Sequence, residues 1–129
     1  MTISKKSFRS GPYAALIAQA VQVDNVLYLS GQVGMGEDGN APSDITEQTI
    51  LAYSNIKPVL AEFGANMSNI VDETFYVADG QEVMANVEKV FAARESAYGE
   101  QPEVSQTLFG VTALVDPTLK IEIKCVAHL

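Results

Sequence analysis

The sequence predicts an α+β fold in which one mixed sheet carries two helices on a single face. Three observations lead to it. Short runs near both ends of the chain alternate apolar and polar residues with the period of a half-buried strand. Two longer runs repeat their apolar residues at helical spacing. Turn residues separate these runs, giving the order β-β-α-β-α-β-β, which packs as helices against one side of a sheet.

Residues 1–12 form a polar, basic lead-in arm ending in Gly11-Pro12, and Tyr13–Ala18 is apolar without a clear period. Ala18–Val23 and Val26–Gln32 read as strands joined by a two-residue turn at Asp24-Asn25. The second ends at Ser30-Gly31-Gln32, where glycine allows a ligand or another chain to come close to the backbone. Gly34–Ser43 is a loop, and Ser43 or Asp44 caps a helix predicted over Ile45–Phe63. Ile45, Thr49, Ala52, Ile56, Val59, Leu60 and Phe63 share its inner face. Pro58 predicts a kink or break there, because it has no N–H for the helical ladder, and Gly64 a stop. Ile70–Ala78 is a third strand, with Val71, Glu73, Phe75 and Val77 alternating against Asp72, Thr74 and Tyr76. Gln81–Tyr98 is a second helix, closed by Gly99 and Pro102. Two last strands, Thr107–Leu114 and Lys120–Ala127, flank a turn at Asp116-Pro117-Thr118.

The 129 residues correspond to one domain, 1–129, and 47% apolar content is that of a chain with a packed core. A formal charge of −8 argues against a nucleic-acid partner, since phosphate binding relies on Lys and Arg. Only eight such residues exist, and Lys5, Lys6 and Arg9 lie in the first nine positions. One cysteine and one histidine exclude an intrachain disulfide, a cysteine zinc cluster and a two-histidine site within the chain. No apolar run approaches the length of a membrane span, and no apolar segment of a signal peptide precedes Gly11-Pro12. The cytoplasm is the expected compartment.

The last thirty residues carry the candidate chemistry. Within Lys120–Ala127, Ile121, Ile123 and Cys125 point one way and Lys120, Glu122 and Lys124 the other. One carboxylate therefore lies between two lysines. Together with Gln19-Ala20-Val21, Ser30-Gly31-Gln32, Glu47-Gln48-Thr49, Pro102 and Val111-x-Ala113-Leu114, this ending resembles the RidA/YjgF/YER057c reactive-intermediate deaminases over nearly the whole chain. The resemblance implies a chorismate-mutase-like fold that assembles as a homotrimer around a central barrel, with small-molecule sites in clefts between chains. It calls for no cofactor and no metal. A sheet covered on one face needs cover on the other, and Leu29, Val71 or Val77, Val111, Ile121 and Ile123 are expected to meet copies of the chain there.

In that family a glutamate positions or activates the water that attacks an imine carbon, and Glu122 matches it. From the pattern alone, Glu122 is equally a strand glutamate paired with Lys120 or Lys124. Ser30 and Gly31 match the family's substrate-holding serine and adjacent backbone, although Ser-Gly after a strand is also ordinary turn chemistry. Gln32 reads as structural, bonding loop backbone. Gly11-Pro12-Tyr13 looks like the family's tyrosine motif but lies farther from Ser30 than that pattern allows, and Ile17 falls on the tyrosine's place. Tyr98 is expected either to wall the cleft or to end its helix as a core ring. Phe109 either reshapes the pocket or fills the barrel. Cys125 reads as a buried thiol and His128 as an end or interface residue.

The family's arginine, which grips the substrate carboxylate, is missing: its place falls on Gln106 or Thr107. Hydrogen bonds to charged groups contribute about 1.5–3 kcal/mol, against about 1 kcal/mol for neutral ones. An anionic 2-imino acid should therefore bind roughly tenfold to a hundredfold more weakly. The expected function is that of a Rid-type hydrolase, an imine or enamine deaminase with an altered, neutral or cationic substrate. A non-catalytic trimer that binds a metabolite or regulates a partner is the alternative, and an endoribonuclease or translation inhibitor the least favoured.

Overall fold

The computed structural model describes residues 2–129. Strands β1 (Lys6–Phe8), β2 (Ala20–Val23), β3 (Val26–Leu29) and β4 (Gln32–Val33) come first, then helix α1 (Ile45–Ala61). Strand β5 (Ile70–Val77), helices α2 (Gly80–Ala85) and α3 (Val87–Tyr98), and strands β6 (Ser105–Gly110) and β7 (Ile121–His128) follow. All strands join one sheet in the order β1-β2-β3-β7-β5-β6, with β4 continuing alongside β7. The β5–β6 pair is parallel and the others are antiparallel. The α2–α3 segment supplies the crossover that a parallel pair requires.

Most predicted elements are present, and the differences have local causes. Asp24 takes the left-handed φ of 52° in the β2–β3 turn. The strand after it is interrupted at Ser30-Gly31. Between Tyr28↔Val126 and Gln32↔Ile123 the register slips by one residue, so this interruption is a bulge. Asp44 caps α1, accepting from the Glu47 N–H at 3.3 Å. Pro58 does not break the helix, which runs on to Ala61, with the Pro58 carbonyl accepting from Glu62 N at 3.3 Å. The second helix divides at Asn86, whose side-chain amide donates to the Glu82 carbonyl at 2.9 Å and competes with the helical bonds there.

Strand β6 is shorter and earlier than the predicted Thr107–Leu114. Its partner β5 stops at Val77, whose carbonyl accepts from Val111 N at 2.9 Å as the last rung, and residues 111–120 cross to β7 as a loop. The turn at Asp116–Thr118 forms through the Asp116 carboxylate, which accepts from Thr118 N at 2.8 Å. Gln48 ties this turn to α1. Its amide donates to the Pro42 and Thr118 carbonyls at 2.7 and 2.9 Å and accepts from Lys120 N at 2.8 Å. At Gly34 a Cβ would overlap the backbone of Gln48, so glycine is what lets the chain leave β4 directly against α1.

The core lies between α1, α3 and one face of the sheet. Leu27, Leu29, Ile45, Tyr53, Ile56, Leu60, Phe75, Val77, Ile121, Ile123 and Cys125 fill it, each excluded from water. Burial of such side chains contributes about 1.5–3 kcal/mol apiece. This corrects the residues expected to meet other copies: Leu29, Val77, Ile121 and Ile123 point under the helices. Val71 does not, because a bulge between Ile70 and Asp72 turns Ile70 inward and leaves Val71 exposed. The sheet face away from the helices instead presents Tyr28, Tyr76, Phe109 and Val126 around Thr74, Thr107, Glu122 and Lys124.

Candidate functional site

Strand pairing arranges the open face as a grid, because paired residues project on the same side. One row runs Val33–Glu122–Tyr76–Phe109 across β4, β7, β5 and β6. The row beside it runs Lys124–Thr74–Thr107. Glu122 thus sits on a central strand, where the sheet holds it from both sides.

Glu122 is half-buried, and Gly31 is the reason it can be. A Cβ at position 31 would overlap the carboxylate, standing 2.8 Å from its Cδ and 3.0 Å from Cγ. The bulge at Ser30-Gly31 therefore brings bare backbone against the acid. Burial pushes the Glu122 carboxyl above its ordinary value, and the Lys124 ammonium partly offsets this. Neither lysine pairs with it. Lys120 binds Glu82 at 2.6 Å, and Lys124 Nζ donates to the Leu29 carbonyl at 2.8 Å. Among the described residues Glu122 is in no ion pair.

Ser30 donates its hydroxyl to the Ala18 carbonyl at 2.6 Å and its N–H to the Gln19 carbonyl at 2.8 Å. The hydroxyl lone pairs remain, so in this arrangement the serine oxygen can act only as an acceptor toward a further group. Gln32 supports the loop, its amide donating to the Gln19 side chain at 2.7 Å.

The two residues in the arginine's expected place lie on opposite faces. Gln106 pairs with Glu73 and points under the helices, its buried Nε2 without a partner among the described residues. Thr107 pairs with Thr74 and shares the face of Glu122. Phe109 is on that face too, stacked on Tyr76 with centroids 5.9 Å apart and rings 20° from parallel. Tyr98 is not: its hydroxyl donates to buried Glu73 at 3.1 Å on the helix side of the sheet, so of its two expected places it takes that of a core ring at the helix end and not that of a wall beside Glu122. Tyr13 lies in the exposed turn after Pro12, where its carbonyl accepts from Leu16 N and Ile17 N at 2.9 Å each. No bond of its side chain joins it to Glu122, Ser30 or Gly31 among the described residues. Cys125 is buried on β7, and burial, then the charge of Glu73, push its thiol up and away from nucleophilic use.

The sequence reading missed a second acidic cluster. Glu73 is wholly buried, with Arg94 Nε at 2.7 Å and the hydroxyls of Tyr53 and Tyr98 at 2.7 and 3.1 Å. Burial first, and the charge of Glu73 next, push both phenols up, so they stay neutral donors. Burial is the largest single influence on Arg94 and lowers its pKa, but the hydrogen bond to Glu73, the charge of Glu73 and the two phenols together outweigh it and the net direction is up. The signal was present in the sequence: Glu73 interrupts the apolar side of an alternating strand, and a charge there needs a partner.

The one chain also has a cleft of about 420 Å3 where α3 leads into β6, bordered by Met67, Ile70, Val71, Tyr98, Pro102 and Val104. Glu122 is not among its walls, and the Tyr98 hydroxyl is already committed to Glu73.

Comparison with known proteins bears on both fold and site. Residues 9–129 match the profile described as Endoribonuclease L-PSP. The RutC family protein YjgH of Escherichia coli is 30% identical over 110 residues, covering 85% of this chain and 80% of that one. The 2-iminobutanoate/2-iminopropanoate deaminase of Mus musculus is 37% identical over 71 residues, 54% of this chain, so that the match spans 50% of that relative's length. The crystal structure of Rv2704 from Mycobacterium tuberculosis, a member of the YjgF/YER057c/UK114 family, has the same fold. Its TM-score is 0.81 at 26% identity, with 98% of this chain and 100% of that one covered.

Proposed function

Because the chain belongs to the endoribonuclease L-PSP family, the RidA/YjgF group, we propose that it hydrolyses small imines or enamines at a site built around Glu122. The observation that carries this reading is the half-buried, unpaired Glu122 carboxylate pressed against the Gly31 backbone on an otherwise open sheet face. A carboxylate so placed has a raised pKa and no competing partner, as a general base requires.

In the proposed reaction Glu122 takes a proton from water as the water oxygen bonds to the imine carbon. The C=N π pair moves to nitrogen, which receives the proton held by Glu122; Glu122 then carries the carbinolamine hydroxyl proton to the departing nitrogen in the same way. Collapse of the carbinolamine then breaks the C–N bond and releases ammonia and a carbonyl compound. Ser30 accepts from the imine N–H, and the Gly31 backbone leaves room for the substrate beside the acid. The site is completed by a neighbouring copy in a homotrimer. The apolar groups on the open face, with Tyr28 49% exposed, support such a contact. Thr107 takes the arginine's place, so the preferred substrate is neutral or cationic rather than an anionic 2-imino acid. The reading places the protein in the cytoplasm. A chain of net charge −8, with Lys124 the one cation on the Glu122 face grid, offers little to RNA.

Semicarbazide trapping of imines made in place by an oxidase tests the proposal. Wild type should compete with the trap, and Glu122→Gln should lower that rate about a hundredfold or more. Sedimentation should give three copies. An unchanged rate in Glu122→Gln refutes the assignment. Absence of activity in wild type with gain in Thr107→Arg favours the second reading, a binding module that has lost its anion clamp.

A further inference from the structure

We infer that the site takes an uncharged imine bearing a flat apolar substituent, and that this substituent lies on the ring of Phe109. The inference rests on the imine-hydrolase reading and adds a substrate class to it.

Four features of the open face lead there. Phe109 is in the same transverse row as Glu122, with only Tyr76 between them. Two strand spacings separate their backbones by about 10 Å, roughly the span of an attacking water followed by an aryl imine. The Phe109 ring is fixed on one side by stacking on Tyr76, yet the residue stays 50% exposed, so an aromatic surface is presented rather than buried. The adjacent row has no guanidinium fork for a carboxylate: Thr74 and Thr107 carry hydroxyls, and the one cation, Lys124, donates to the Leu29 carbonyl and already faces Glu122. An anionic substrate would bring a second negative charge beside Glu122 and would have to share with it the single Lys124 ammonium. A flat apolar group gains offset stacking instead, which tolerates many substituents because it reads only a ring face.

Four imines separate charge from shape. An amine oxidase acting on benzylamine or butylamine supplies a neutral aryl or alkyl imine. An amino-acid oxidase acting on phenylalanine or alanine supplies the anionic pair. Each is followed by competition with semicarbazide. The neutral aryl imine should be hydrolysed about tenfold faster than the neutral alkyl one and faster than both anions. Phe109→Ala should bring the aryl-to-alkyl ratio close to one, and Phe109→Tyr should preserve it. Should Phe109→Ala alter assembly, Phe109→Leu removes the aromatic face while keeping the bulk.

A wild type without aryl preference, or a preference that survives both non-aromatic variants, overturns the stacking platform while leaving hydrolysis at Glu122 intact. If no imine is hydrolysed above background, the hydrolase reading itself fails. Titration with benzamide, an unreactive neutral aryl probe, then decides the platform. A roughly tenfold affinity loss in Phe109→Ala supports it, and an unchanged affinity overturns it.

Discussion

Glu73 and Glu122 lie on neighbouring strands of one sheet and face opposite ways. Glu73 is under the helices, wholly buried, with a guanidinium and two phenolic donors on its carboxylate. Glu122 is on the open side, half-buried, against a glycine and outside every ion pair of the described residues. Partner groups have used up the bonding capacity of the first and left that of the second free. The same side chain is therefore structural in one place and available for chemistry in the other. The depth of burial alone would have pointed to the wrong one.

The contrast can be broken from the Glu73 side. Arg94→Met leaves a buried carboxylate without its cation and should lower unfolding free energy by about 3–5 kcal/mol in a denaturant titration. A loss under 1 kcal/mol would show that Glu73 does not depend on this pairing. Tyr53→Phe removes one donor of three and should cost less, about 1–2 kcal/mol by the same measurement.

On the open side the smallest effect has a distinctive sign. Burial raises the Glu122 pKa in the folded chain, so its neutral form favours folding and its ionised form opposes it. The contribution is full below the ordinary value of 4.5 and is lost as pH rises through the raised folded value. Glu122→Gln should consequently be at least as stable as wild type at pH 7, with the difference closing as the medium is made acidic. Parallel melting curves from pH 4 to pH 7 check this. A variant that is less stable at pH 7 would put Glu122 in the structural class with Glu73.

Much of the fold was legible because alternation and helical spacing report which way a side chain faces. Ile121, Ile123 and Cys125 were read correctly as one side of β7 and Glu122 as the other. What the pattern could not give was which of those sides the helices cover, since both carry apolar residues. Leu29, Val77, Ile121 and Ile123 were therefore expected on the face away from the helices, whereas they lie under them. Nor does alternation foresee a bulge: Val71 and Ile70 exchange places through one, and Ser30-Gly31 form another. The choice between Gln106 and Thr107 was a matter of parity along a strand, invisible until the register of β5 and β6 was known. The two readings of Tyr98, cleft wall or core ring, could not be separated because the Glu73 cluster it joins assembles from residues far apart in the chain.

The position of β7 has a consequence for how the molecule is made. It is the last strand in the chain yet lies in the interior of the sheet, between β3 and β5. Until residue 128 has been synthesised, the hairpin at one end and the parallel pair at the other have no common seam, and α1 has only half a floor. Pairings such as Val26↔His128 close a loop that contains α1, β5, α2, α3 and β6. A nascent chain on the ribosome is thus two unjoined fragments with unpaired edges, and it is in that interval that a chaperone has most to protect.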